Sequence, residues 1–428
     1  MIHLEVYTMD FRVFPKVFKS FERQKIYLQL SESVPCEAQI FVKVQPMESY
    51  KIEHTPRYRI DEEDRYPYVP VTREENGLFS VEYDFFGEQK YNVRFKIDGE
   101  KPSRRRYVYS VGADLFGIYP LKGDTHIHTC RSDGEGTPFE VGVEYRGAGY
   151  DFIAVTDHHK MYPSIEAKEE FRTLTDRFFV LQGEEVHNKG MGYFHIINLG
   201  GRVSVNDIIE AEDGFAESEV ERYLKEEECP TGATPYICAY RRFVSAEIRK
   251  GGGIAVLAHP FWECFGEYNM PSEDVRYLMR SGCYDAVELL AACDNNGNGN
   301  DMLVSLYQEL LCEGVRLPVL GASDRHSSTA QDSLFNKQFS LVFARGEADV
   351  LEAIKNGRTV AVQMRDTYDF NVYGSFRLVK YARFLLDEYF PRYTELAAAH
   401  AEALGNKNRE DIAEAERKID AFRAEFFA

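Results

Sequence analysis

Between Gly123 and His326 strand-like apolar runs recur, and almost every one closes on a histidine or a carboxylate. They cover residues 123–128, 151–158, 178–186, 193–199, 253–259, 284–290 and 317–326, seven in all, with helical stretches between most of them. Alternation of this kind is the pattern of β/α architecture. One helix start is explicit, because Thr137-Pro138-Phe139-Glu140 combines a capping box with proline at the first helical position. In β/α barrels the reactive groups gather at the carboxyl ends of the strands, which is where the polar residues of this chain fall.

Those ends can be read one by one. The first carries His126 and His128, two residues apart, so on a strand both imidazoles share a face and can converge on one ion. Asp133 follows in a Ser-Asp-Gly turn that can bring its carboxylate back to the strand end. The later runs lead into Thr156-Asp157-His158-His159, Gly183-Glu184-Glu185, His195, Ala258-His259-Pro260 and Ala322-Ser323-Asp324-Arg325-His326; the sixth offers only Glu288. Buried histidines and carboxylates without partners are costly, so a ring of them calls for metal ions to hold it together. Alternation lets only one of Glu184 and Glu185 face the cleft, and His158 and His159 pose the same choice. His187 shares the parity of Glu185 and is a further candidate to approach the site. Ligands of nitrogen and oxygen without cysteine suit zinc, manganese or iron. Arg131, Lys160 and Arg325 lie beside these residues and are candidates to bind phosphate oxygens.

The motifs H-x-H followed by D, then T-D-H, G-x-E, a single His, A-H-P and S-D-x-H, in this order over about residues 122–362, resemble those of the PHP (polymerase and histidinol phosphatase) domain family. The resemblance implies a distorted seven-stranded, TIM-like β/α barrel whose cleft holds two or three divalent ions. It selects Glu185 over Glu184 and His158 over His159. Carried onto this chain, it places His126, His128, Glu185 and Asp324 on one ion. Glu185 bridges to a second held by His195 and His259, and Asp133, His158 and His326 take the third. His126, His128, Glu185, Asp324 and His326 are then the catalytic group. The implied reaction is hydrolysis of a phosphate ester by metal-activated hydroxide, with a small phosphomonoester, a nucleotide bisphosphate or an oligonucleotide end as substrate. Asp157 and Glu288 are expected to orient ligands rather than bind metal.

The rest of the chain has a different texture. Residues 1–121 contain alternating runs at 25–30, 39–44, 78–85, 91–97 and 107–111 with Asn-Gly and Asp-Gly turns, which read as a β-sandwich-like accessory domain. Residues 122–365 form the catalytic barrel, with a charged insertion at about 203–250, and residues 366–428 form a helical C-terminal extension that could serve a homo-oligomer. Net charge is −1, −15 and −3 in these three zones, −19 overall, which argues against a stable nucleic-acid complex but not against one small phosphorylated substrate. No apolar stretch approaches a membrane span, no secretory signal is visible and the eight cysteines form no C-x-x-C pair, so a cytoplasmic protein with reduced thiols is expected.

Three decoys can be set aside. Asp294-Asn295-Asn296-Gly297-Asn298-Gly299 opens like an EF-hand loop, but its twelfth position is Ser305 where Glu is required, so a mobile loop near the cleft mouth is the better reading. Gly251-Gly252-Gly253 precedes a strand rather than a helix and is no phosphate cradle. Arg104-Arg105-Arg106 is an isolated basic run, read as a solvated hinge. Two other functions compete with phosphoester hydrolysis: a metal-dependent hydrolase of a non-phosphate ester or amide, and a metal-stabilised scaffold that binds without catalysis.

Overall fold

A computed structural model of the chain describes residues 11–30, 38–48, 66–99, 103, 105–187, 195–211, 213–264, 266–291, 298–327, 335–366 and 369–427. Most of the Asp294–Gly299 segment, Arg104 of the arginine run and residues 100–102 before it therefore lie outside the described residues. The chain divides into two compact units, one of residues 1–118, 383–389 and 418–428, the other of residues 119–382 and 390–417.

Among the described residues the first unit contains nine strands: β1 (Phe11–Phe14), β2 (Val17–Lys19), β3 (Arg23–Leu30), β4 (Ile40–Pro46), β5 (Val69–Pro70), β6 (Thr72–Arg73), β7 (Phe79–Asp84), β8 (Gln89–Ile97) and β9 (Arg106–Val111). They form a four-stranded sheet, β1-β3-β7-β6, and a five-stranded sheet, β2-β9-β8-β4-β5. Alternation decides which side chains turn inward: Ile26 and Leu28 from one sheet meet Val42, Val93 and Phe95 from the other in a single apolar core. Phe11 meets Phe95 edge-on at 4.7 Å.

In the second unit the strands are β10 (Tyr119–Asp124), β11 (Phe152–Ala154), β12 (Phe179–Leu181), β13 (Gly183–Val186), β14 (Ile196–Leu199), β15 (Ile254–Leu257), β16 (Glu263–Cys264), β17 (Glu267–Tyr268), β18 (Ala286–Leu290), β19 (Val319–Gly321), β20 (Gln338–Ala344), β21 (Thr359–Asp366) and β22 (Asp369–Tyr373). Its helices are α1 (Pro138–Gly147), α2 (Tyr162–Arg172), α3 (Val205–Glu210), α4 (Phe215–Glu226), α5 (Pro235–Lys250), α6 (Ser272–Arg280), α7 (Asn298–Cys312), α8 (Glu347–Lys355), α9 (Phe376–Glu388), α10 (Phe390–Gly405) and α11 (Arg409–Phe427), of which α9 and α11 belong in part to the first unit. The capping box at Thr137 and Glu140 is formed in both directions at the start of α1.

The architecture is mixed α/β, and the described strands around its core fall in two sheets. A six-stranded sheet, β12-β11-β10-β20-β21-β22, and a five-stranded sheet, β13-β14-β15-β18-β19, share them. The break falls at Gln182: β12 pairs in parallel with β11, while β13, one residue later, pairs antiparallel with β14. Single bridges, Ile127 to Arg325 and His158 to Glu185, link the two sheets. One core joins them, with Phe152 and Val342 from one sheet packed with Ile197, Val256 and Leu320 from the other. On its opposite face the five-stranded sheet is covered by Phe243, Val244 and Ile248 of α5. The charged stretch at 203–250 thus ends in a helix that packs over the core.

Helix α10 is fixed to the second unit by a buried polar network. The Arg146 Nε–H donates to His400 Nδ1 at 2.9 Å and Arg146 Nη1–H to Tyr150 O at 2.8 Å and to Tyr393 Oη at 3.0 Å, while Tyr393 Oη–H donates to Asp151. His400 must keep a lone pair on Nδ1 to accept, so it is neutral there; burial, then the charges of Arg146 and Arg177, push it down to about 3. Glu416 lies 3.7 Å from its other nitrogen. A histidine that protonates more readily when unfolded adds stability above its ordinary pKa and loses it as pH falls towards the folded value. Unfolding free energy should therefore drop on acidification below about pH 6.5 by up to roughly 1.4 kcal/mol per pH unit from this group alone. Denaturant titrations of wild type and His400→Gln at pH 7 and pH 4.5 check this; parallel pH dependences in the two proteins would contradict it.

Candidate metal centre

The strand ends converge on one cleft. His126 and His128 follow β10, and their Nε2 atoms lie 3.1 Å apart. His126 Nε2 is 3.5 Å from Glu185 Oε2 and 3.2 Å from Asp324 Oδ1; His128 Nε2 is 3.4 Å and 3.0 Å from the same two atoms. Ligands at zinc bond lengths of about 2.0–2.1 Å in a tetrahedron are separated by about 3.3 Å, so each of these pairs has the spacing of neighbouring donors on one ion.

Glu185 reaches two ways. Its other oxygen, Oε1, lies 2.6 Å from His195 Nδ1 and 3.3 Å from His259 Nε2, and those two nitrogens are 3.2 Å apart. A third group surrounds Asp133, whose Oδ2 is 3.4 Å from His158 Nε2 and 3.3 Å from His326 Nε2. The structure thus brings together all nine of His126, His128, Asp133, His158, Glu185, His195, His259, Asp324 and His326 in overlapping clusters able to hold a cation. It adds His187, whose Nε2 is 2.5 Å from His158 Nδ1.

Local backbone explains how neighbours in sequence part company. Glu184 turns away from the cleft to the start of α3, where it accepts from Asn198 Nδ2–H, Ser204 Oγ–H, Val205 N–H and Asn206 Nδ2–H. That leaves Glu185 facing inward, as alternation requires. His159 points outward to Glu210 at 3.3 Å. Asp324 and His259 have φ of 48° and 22°, strained for residues with a side chain; conformations of this kind cost about 1–3 kcal/mol and concentrate at functional sites. Gly134 lets the Asp133 turn close on His128, since a Cβ there would meet the His128 carbonyl oxygen at 2.5 Å.

Asp157 and Glu288 hold the donors in place. Asp157 accepts from Thr129 N–H at 2.9 Å, Thr129 Oγ1–H at 2.7 Å and Ser132 Oγ–H at 2.6 Å, fixing the turn that carries Asp133. Glu288 Oε1 is 3.0 Å from His126 Nδ1, which directs Nε2 of that ring to the cleft. Asp124 was not singled out by sequence, yet it accepts from the N–H groups of both His126 and Ser323 and so ties the first motif to the last.

The candidate phosphate-binding cations are engaged elsewhere. Arg131 pairs with Glu166 through Nε at 3.0 Å and Nη2 at 2.6 Å; Arg325 is buried, donating to Glu144 and to the Glu135 carbonyl, both at 2.7 Å; Lys160 donates to the Arg131 carbonyl.

Electrostatics favour a cation. Glu185 and Asp324 are held well below the usual carboxylate range: burial opposes this, but the surrounding imidazoles prevail. Asp133 is lowered in the same way by His158 and His326. Correspondingly His126 is raised well above its ordinary value, His326 is raised, and His158 is pushed up to about 10, in each case against burial, by facing carboxylates. Buried His195 is pushed down to about 3. Protons on three imidazoles thus balance three carboxylates where divalent ions would do so more fully. Glu185 Oε2 is buried and makes no well-directed hydrogen bond, an arrangement that costs about 1–3 kcal/mol unless a cation takes it up. The donor set and this orphaned oxygen fit divalent metal ions.

The cleft is closed on one side and open on the other. Side chains of His126, His128 and Glu185 are fully buried, whereas Asp133 is 54% and His326 41% exposed. Trp262, the only tryptophan, lies 5.7 Å ring to ring from both His195 and His259. No sequence pattern pointed to it beyond its place two residues after Ala258-His259-Pro260. Its emission should fall when Co²⁺ enters the centre and recover on chelation; unchanged emission at saturating Co²⁺ would count against metal at His195 and His259.

No protein-family model matches the chain, and no curated protein does. Among solved structures it is similar to a two-domain protein from Bacteroides vulgatus containing a predicted PHP-like metal-dependent phosphoesterase, at 21% identity and TM-score 0.40, over 57% of this chain and 65% of that one. It is similar to a proposed metal-dependent phosphoesterase from Bifidobacterium adolescentis at 17% identity and TM-score 0.36, over 54% of this chain and 94% of that one. It is also similar to an amidohydrolase from Chromobacterium violaceum with bound sulfate and no metal, at 18% identity and TM-score 0.33, over 49% of this chain and 89% of that one. The chain spans about two thirds of the first of these.

Proposed function

We propose that this chain is a metal-dependent phosphoesterase of the PHP type, acting on a small phosphorylated substrate. The observation that carries the reading is Glu185, a buried carboxylate with one oxygen among His126, His128 and His158 and the other between His195 and His259. A shared carboxylate of this kind suits a pair of cations, with Asp133, His158 and His326 available to a third. In this reading the two sheets around their common core are the walls of the distorted barrel that the sequence motifs imply.

Divalent ions bound there supply hydroxide near neutral pH and neutralise phosphoryl oxygens. The chain's own groups set the geometry. Glu288 fixes the ring of His126, Asp157 fixes the turn of Asp133, and Glu185 and Asp324 stay ionised to hold positive charge in the cleft. Substrate enters at the exposed edge formed by Asp133 and His326. An acidic domain around a cationic cleft favours a short phosphate end, such as a phosphomonoester, a nucleotide bisphosphate or the terminus of an oligonucleotide, over a long polyanion.

The commitment of Arg131, Lys160 and Arg325 to protein partners favours one alternative, hydrolysis of a carbonyl ester or amide, which needs no phosphate clamp. Turnover of p-nitrophenyl phosphate, bis-p-nitrophenyl phosphate and p-nitrophenyl acetate by the metal-loaded protein separates the two. Phosphate-ester turnover that chelator abolishes is expected. Turnover of the acetate alone would overturn the phosphoesterase reading, and stoichiometric metal with no turnover on any phosphate ester would favour a binding scaffold.

A further inference from the structure

The ring of His158 is contested from both sides. Its Nε2 faces Asp133 at 3.4 Å, whereas its Nδ1 lies 2.7 Å from Glu185 Oε2 and 2.5 Å from His187 Nε2. His187 Nε2 is itself 3.6 Å from Glu185 Oε2, so three donor atoms from three residues surround one small space. One of them is the oxygen that has no well-directed hydrogen bond. A neutral imidazole has one lone pair, so His158 can serve either side but not both at once.

His187 is not a loose surface group. Its side chain is 15% exposed, and its backbone N–H donates to Asn206 Oδ1 at 3.0 Å. The same Asn206 donates through Nδ2 to the Glu185 carbonyl and to Glu184 Oε2, each at 3.0 Å. Asn206 stands in the first turn of α3, so the helix that follows β14 sets where His187 can point.

We propose that His187 is a tenth metal-binding residue. With His158 Nδ1 and Glu185 Oε2 it forms an inner seat for a divalent cation, alternative to the outer seat of Asp133, His326 and His158 Nε2. The inference rests on the metal-centre reading above. It gives one ion two places on either side of a single ring, the outer one open to substrate and the inner one shielded from it.

The test compares the full-length wild type with His187→Ala and His187→Gln. Zinc affinity is measured by chelator competition, and Co²⁺ absorption reports the ligand set. Glutamine can hydrogen-bond to His158 but ligates metal poorly. Both variants are left with the outer seat alone, so the Co²⁺ spectrum should change and the most weakly bound ion should be held less tightly. If glutamine restores the wild-type isotherm and spectrum, His187 only positions His158 and the proposal fails. Superimposable curves for alanine and wild type also overturn it while leaving the rest of the centre intact. A wild type that takes up no ion would instead refute the metal centre itself, and this proposal with it.

Discussion

Replacing His126 with Ala, or Asp324 with Asn, should lower the metal-dependent kcat by about three orders of magnitude, equivalent to roughly 4 kcal/mol of lost transition-state stabilisation. Both residues contribute to the tightest part of the cluster, where His126 Nε2, His128 Nε2 and Asp324 Oδ1 lie within 3.0–3.2 Å of one another. Asparagine is the sharper substitution at 324. It keeps the volume of aspartate and tolerates the positive φ there, so the fold is spared while the charge is lost. Steady-state kinetics on a phosphate ester, beside circular dichroism to show that the variants are folded, check the result. Full activity in both variants would remove the site from the reaction.

Stripping the metal should destabilise the second unit. An ion at a thousand times its dissociation constant stabilises the state that binds it by about 4 kcal/mol, which for a unit of this size corresponds to a rise in Tm of about 10 °C. The effect has a definite pH dependence. Without metal, His158 keeps its proton to about pH 10, and His126 and His326 are also raised, so ion uptake must displace protons. Metal-induced stabilisation should therefore be larger at pH 8 than at pH 6. Calorimetry at both values with and without chelator measures it, and a shift that is equal or reversed would contradict the proton balance inferred for the cleft.

How much of this was legible in the sequence depends on whether a residue's role follows from its neighbours along the chain. His126 and His128 declare themselves because a strand fixes their common face. Glu185 and His158 needed motif knowledge, since nothing local says that Glu184 turns to the start of α3 or that His159 turns to Glu210. The sheet break at Gln182 was hidden for a different reason: residues 178–186 read as one apolar run, and only long-range pairing with β11 and with β14 splits it. Arg131 and Arg325 looked available for substrate because their partners, Glu166 and Glu144, lie on α2 and α1. Asp124 and Trp262 carry no spacing signal, and their proximity to the centre comes from the fold.

Metal content per chain is the most direct test of the central claim. Protein purified without chelator, or reloaded with Zn²⁺ or Mn²⁺ and freed of excess, should contain two or three ions per chain by inductively coupled plasma mass spectrometry, and His126→Ala should contain fewer. A folded wild-type chain that retains no stoichiometric metal under either treatment would contradict the account.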